Sequence, residues 1–191
     1  VPDDIALAAR EADTDALRAW LEAGGDANGH GYIVPLPIPV AGDLNGTGHR
    51  TTFPLLLLVA SNYHYGRPYA QRDCIRLLLE HGADVNYVHD CSQDPDWAGW
   101  GDPEDTALTL CAEEWRYAAA QELISNGADS SRIIKTALFD DKLLRMMLVA
   151  GADLFCPNDY LGETYGWYPD QTPLDYVRRG IAHYERSGHY S

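Results

Sequence analysis

The sequence predicts an all-α solenoid built from about five irregular helix–turn–helix units. Three observations lead there. The stretch LLLEHGADVN at 77–86 has counterparts at 21–28 (LEAGGDAN), 123–129 (LISNGAD) and 147–153 (MLVAGAD), and a fixed ending repeated along a chain marks repeated supersecondary units. Each ending closes an apolar run at helical spacing, and its glycine supplies the left-handed conformation that a helix C-terminus often takes. Each helical run is also shorter than would hold in water alone, so its apolar stripe must meet a neighbouring unit.

One domain, 1–191, divides into approximate units 4–28, 51–86, 105–129, 130–153 and 170–188. In the first unit Ile5, Leu7 and Ala8 begin a short helix, Asp13 or Thr14 caps the next, and Leu17, Trp20 and Leu21 form its stripe. In the second, Pro54 suits the first turn of a helix carrying Leu55–Val59. Residues 61–69 then interrupt, and Asp73 begins a helix packed through Cys74, Ile75, Leu77, Leu78 and Leu79. In the third, Asp105 or Thr106 caps a helix through Leu108, Leu110, Cys111 and Ala112, with Trp115 near its end. The fourth is compressed: Ile134–Phe139 make a short first helix, and Leu143, Leu144, Met147 and Leu148 point inward from the second. Leu78, Leu110 and Leu144 are expected in the core. The fifth opens at Thr172-Pro173-Leu174.

Three long connections, 30–50, 87–104 and 154–170, follow an ending and precede the next first helix. The first holds Tyr32 and the run PLPIP at 35–39, whose alternating prolines favour an extended chain. The second places Trp97 and Trp100 among glycine, proline and aspartates that include Asp94 and Asp96. The third carries Tyr160, Tyr165, Trp167 and Tyr168. Large rigid aromatics offer contact area at small entropy cost and dominate protein-interface hot spots. Aspartates among them can pair with Arg or Lys on a partner and speed encounter. These nine side chains are the candidate partner-binding residues. The alternative is that the rings fold inward and anchor their own loops.

The run at 77–86 is similar to the ankyrin-repeat ending, and Thr172-Pro173-Leu174-Asp175 resembles that family's helix-opening TPLH with Asp175 in place of His. Thr106-Ala107-Leu108-Thr109 and Phe53-Pro54-Leu55-Leu56 are weaker copies. The spacing departs from the family: glycines 24, 82, 127 and 151 lie 58, 45 and 24 residues apart, against an ankyrin unit of about 33. The first two intervals carry insertions, and the third lacks part of its first helix. The resemblance implies that the three connections occupy the finger position at the rim of a concave face, along one edge. It also implies a protein-binding role without cofactor.

The chain carries a formal net charge of −15. Free DNA, free RNA and anionic lipid are poor partners for such a surface, whereas a basic protein, such as a toxin or effector enzyme, fits. Mimicry of nucleic acid is compatible with the charge. No apolar run reaches the length of a membrane span. The four cysteines form no CxxC pair, and Cys74 and Cys111 sit in helical patterns as buried thiols. The reading favours the cytoplasm, with the periplasm as the alternative if a leader was trimmed before Val1, and a monomer before binding.

Catalytic and metal motifs are missing. The seven histidines show no HExxH spacing. His89, Asp90 and Cys91 are adjacent, and sequence neighbours rarely point at one metal. Asp43, Asn45 and Thr47 begin like a calcium loop without its central glycine and final glutamate. Gly46-Thr47-Gly48 has no following lysine for a phosphate loop, and no serine sits in GxSxG. No catalytic residue, cofactor or metal ligand is therefore expected. The expected function is non-enzymatic protein binding through the aromatic and acidic loops. A narrower version, by analogy with small acidic ankyrin-like proteins of toxin–immunity systems, is an immunity protein or inhibitor that occludes a bacterial toxin. The competing classes are a metal-dependent enzyme or metal site in the inserted loops, and a structural or assembly subunit.

Overall fold

A computed structural model describes residues 1–32, 52–61, 68–90, 104–137, 140–152, 172–175 and 178. It forms two compact units, Val1–Ala128 and Asp129–Ser191. The described residues of each are mostly helical.

In the first unit α1 (Asp3–Glu11) and α2 (Thr14–Glu22) form an antiparallel pair. Asp3 and Asp4 lie in the first turn of α1, where carboxylates complement the helix dipole. Ala6, Ala8 and Ala9 are buried, so small side chains let α1 approach both α2 and α3 (Leu55–Ala60). Asp13 caps α2, its Oδ1 accepting from the backbone N–H groups of Asp15 and Ala16 at 3.2 and 3.1 Å. Leu17 and Leu21, one turn apart, are the buried stripe of α2.

Every residue of α3 is buried. A six-residue helix has no independent stability, so burial on all sides is what holds it. It packs against α1, α4 (Pro68–Glu80) and α5 (Ala107–Glu113). The buried Gln71 of α4 donates through Nε2 to the carbonyls of Val59 and Ala60 at 2.9 and 3.3 Å, satisfying the orphan C-terminal end of α3. Cys74, Ile75, Leu77 and Leu78 turn α4 inward, where it packs on α2 and on α6 (Tyr117–Ser125). Thr106 caps α5 in a reciprocal box with Thr109: each backbone N–H reaches the other's hydroxyl, at 2.8 and 3.1 Å.

Among the described residues, two short antiparallel strand pairs lie between the helices. Strand β1 (His30–Tyr32) meets β2 (Thr52–Pro54), with His30 opposite Pro54 and Tyr32 opposite Thr52. Strand β3 (His89–Asp90) meets β4 (Glu104–Asp105).

The second unit begins with a 3-10 turn, Ser130–Ile133, running into α7 (Ile134–Ala137), which packs on α8 (Asp141–Val149). Asp140 caps α8 through bonds from Lys142 and Leu143 N–H at 2.9 and 3.0 Å. Thr172 and Asp175 close a capping box of the same form as Thr106 and Thr109, with Asp175 N donating to the Thr172 hydroxyl and Thr172 N to the Asp175 carboxylate, both at 3.2 Å.

Several sequence expectations need revision. Helix α4 starts at Pro68, five residues before the predicted Asp73, because proline at a first helical turn presets φ and lacks only an N–H that would be orphaned. Pro54 is the cap of α3 and the last residue of β2, not a helical residue. Leu148, expected inward, is 48% exposed, and Leu110 and Leu144 are half-buried, whereas Leu78 is fully buried. On α8 the inward register is Leu143 and Met147, four residues apart, which leaves Leu144 at the edge of the buried stripe and Leu148 turned outward.

Candidate partner-binding surface

Four joints set the register of the loops. Gly24, Gly82, Gly127 and Gly151 have φ of 90°, 85°, 88° and 86°. After each, the next backbone N–H returns to a carbonyl five residues back: Gly25 to Trp20, Ala83 to Leu78, Ala128 to Leu123 and Ala152 to Met147, all at 3.0 Å. This is the Schellman closure of a helix, in which an L-side chain at the glycine meets open space but an unfavourable backbone.

The aspartate that follows builds the next turn. Asp26, Asp84 and Asp129 each accept through Oδ1 from the N–H two residues on, at 2.9, 3.0 and 3.0 Å. In the first unit an asparagine then ties joint to joint. Asn28 donates through Nδ2 to Gly82 O at 3.0 Å and accepts from Asp84 N at 2.8 Å. Asn86 repeats the donation to Gly127 O at 3.1 Å. The corresponding position after Asp129 is Ser131, whose hydroxyl turns to Asp129 Oδ1 at 2.6 Å. Asn28→Ala removes both inter-joint bonds at an exposed position. We expect a loss of about 1–2 kcal/mol in chemical denaturation. Asn28→Asp, which keeps the acceptor only, should fall between.

Strands β1 and β2 close the ends of segment 33–51, and β3 and β4 close those of segment 91–103. The two stems touch. His30 Nε2 lies 3.3 Å from the Tyr87 hydroxyl with the rings edge-on, and His89 packs on Phe53 with centroids 4.2 Å apart. A Cβ at Gly31 would fall 2.5 Å from Ala6 Cβ, so only glycine lets this stem lie against α1. Arg76 of α4 adds a bidentate bridge to Glu122 of α6, at 3.0 and 2.6 Å.

That bridge has a pH signature. Hydrogen bonding from Arg76 holds the Glu122 carboxyl below its ordinary value, against a smaller opposing effect of burial. A depressed carboxylate contributes stability that is present above its unfolded-state pKa, about 4.3, and is lost as pH falls through the folded value. Glu122→Gln should therefore lower stability in the neutral region, where the bridge is formed, and flatten the acid limb, so that the two stability–pH curves converge below about pH 4.

Of the nine predicted contact residues, Tyr32 lies on β1 opposite Thr52. Asp94, Asp96, Trp97, Trp100, Tyr160, Tyr165, Trp167 and Tyr168 lie outside the described residues. The sequence reading missed the stem pairs His30–Tyr87 and Phe53–His89. Their signal was positional, since His30, Tyr87 and His89 each follow a joint asparagine within three residues. His89, weighed for metal because of its neighbours, is instead stacked on Phe53. Among the described residues no group of three or more His, Cys, Asp or Glu side chains could hold a metal ion. Burial raises the thiols of Cys74 and Cys111, the latter to about 12, which keeps both protonated at neutral pH. Among the described residues no helix is long and apolar enough to cross a membrane.

The ankyrin-repeat family model matches residues 54–90, the segment holding α3, α4, the Gly82 joint and β3. Residues 54–90 are an ankyrin repeat. No curated protein matches the chain significantly. The match includes the 77–86 stretch from which the register was read, and the joints at Gly24, Gly127 and Gly151 reproduce its geometry. Ankyrin repeats are protein–protein interaction units and characteristically non-enzymatic. The chain is accordingly placed among interaction modules by its repeat.

Proposed function

We propose that this ankyrin-repeat protein binds a basic protein partner through the loops that leave its joints, and that it inhibits a toxin enzyme by occluding the active site. The observation that carries the reading is the pair of touching stems. His30–Tyr87 and Phe53–His89 hold the bases of two successive loops side by side, and the joint ladder fixes both bases to the helical stack. Loops anchored at rigid bases present their side chains at lower entropy cost than free linkers. Trp97, Trp100, Tyr165, Trp167 and Tyr168 supply the aromatic anchors, with Tyr32 and Tyr160 as further contacts. Asp94 and Asp96 face the basic substrate channel of the toxin. The first two loops leave adjacent stems of the Val1–Ala128 unit. The charge of −15 speeds encounter with a cationic partner and predicts a steep loss of association rate with salt.

The test is to mix the protein with the product of a neighbouring toxin-like gene and assay the toxin's activity. Stoichiometric inhibition and a stable complex are expected. No complex and no inhibition would contradict the toxin reading. Trp97→Ala and Trp167→Ala should each weaken the complex by roughly 30-fold or more, the size of a hot-spot loss, with the thermal midpoint nearly unchanged. A large drop in midpoint instead would show that these rings anchor their own loops.

A further inference from the structure

Trp115 stands in the turn between α5 and α6 and is 66% exposed. Its backbone is left-handed, with φ 54°, a conformation that bulky L-residues rarely adopt. Ala12 has φ 53° in the corresponding turn between α1 and α2, where it is 3% exposed. The turn thus requires a left-handed residue but has no need of an indole. Trp115 combines an unfavourable backbone with apolar surface left in water. Strain of this kind persists where a side chain serves a contact.

A second exposed ring lies in the same compact unit. Tyr69, 67% exposed, is in the first turn of α4. Arg116 Nη1 donates to Ala60 O at 2.8 Å, and Gln71 Nε2 donates to the same carbonyl at 3.3 Å. Arg116 and Gln71 thus meet at the C-terminal end of α3, and Trp115 immediately precedes Arg116. Glu113 and Glu114, both exposed, come immediately before Trp115.

Charge selects the occupant. A second copy of a chain at −15 is repelled, and so is an anionic lipid surface. A protein segment presenting arginine fits this surface: its guanidinium stacks on the indole, the best cation–π acceptor, while its N–H groups reach the adjoining Glu114 carboxylate. The chain already contains such a pair, since the Arg72 guanidinium carbon lies 5.3 Å from the Tyr69 ring centroid. The geometry points to the inter-helix turns around Trp115 as a second docking surface, one that takes an arginine-bearing segment of a protein partner. It rests on the reading of the chain as a protein-binding module, but on none of the loop residues.

The chain has five tryptophans, so five indole N–H resonances report on it. Titration of the labelled protein with a peptide of alternating arginine and leucine should shift the Trp115 resonance, assigned from Trp115→Phe, in a saturable way. The matched lysine peptide should bind several-fold more weakly, and a glutamate peptide not at all. Trp115→Gly should abolish binding at this surface while raising the thermal midpoint by about 2–4 °C, because glycine accepts the left-handed turn. Trp115→Ala should abolish binding too, and Glu114→Gln should weaken it several-fold. An unmoved Trp115 resonance, equal response to the lysine peptide, or unchanged affinity in Trp115→Gly would overturn the assignment. Shifts at Trp97, Trp100 and Trp167 without Trp115 would overturn it while leaving the loop surface standing. A shift at Trp115 alone supports it independently of the loops.

Discussion

Leu57→Ala is expected to lower the unfolding free energy by about 2–5 kcal/mol, the largest single effect in the chain. Leu57 is fully buried at the centre of α3, with Leu55, Leu56, Leu58, Val59 and Ala60 equally shielded from water. A helix of six residues cannot relax around the missing atoms, because α1, α4 and α5 hold it from three sides. Urea denaturation of the purified variant measures the loss. A change below about 1 kcal/mol would mean that α3 is not the packing centre, since exposed or readily collapsing sites lose this little.

The second large effect is a clash that can be relieved. A Cβ built on Gly25 falls 2.2 Å from Trp20 Cε2 and Nε1. The corresponding joint residues are Ala83, Ala128 and Ala152, and the residues whose carbonyls they meet are Leu78, Leu123 and Met147. The first joint thus pairs Trp with Gly where the others pair a smaller apolar residue with Ala. Gly25→Ala should cost about 1–3 kcal/mol through overpacking. Trp20→Leu in the same chain should recover most of it, so the double-mutant cycle shows a coupling of at least about 0.5 kcal/mol. Additive effects would contradict the packing of the indole on the glycine.

The helical scaffold was legible because its signals are local. The glycine–alanine–aspartate endings fix backbone conformations that depend on four or five residues, and all four glycines take the predicted left-handed turn. The caps at Asp13 and Thr106, each one of two candidates in the sequence, follow from the same local chemistry, whereas the Asp140 cap was not read. Burial was harder. Leu110, Leu144 and Leu148 sit on apolar-looking stripes, and which side of a stripe is covered depends on neighbours that periodicity does not specify. The start of α4 was missed because an aspartate is a stronger sequence marker than a proline inside a loop-like stretch. The stem contacts were illegible for a different reason. His30 and Tyr87 are 57 residues apart, and only the stacking of two joints brings them together. Segments 33–51, 91–103 and 153–171, which hold all but one of the predicted contacts, belong to the part of the chain read from sequence alone.

The claim that joins these parts is a division of labour: the stacked helices carry stability, and the loop aromatics carry binding. Affinity capture with two baits tests it most directly, one the wild-type chain and the other carrying both Trp97→Ala and Trp167→Ala, each first checked for its thermal midpoint. The account predicts equal midpoints and a basic protein retained by the wild type and lost from the variant. Retention of the same protein by both baits, or a variant that no longer folds, would contradict it.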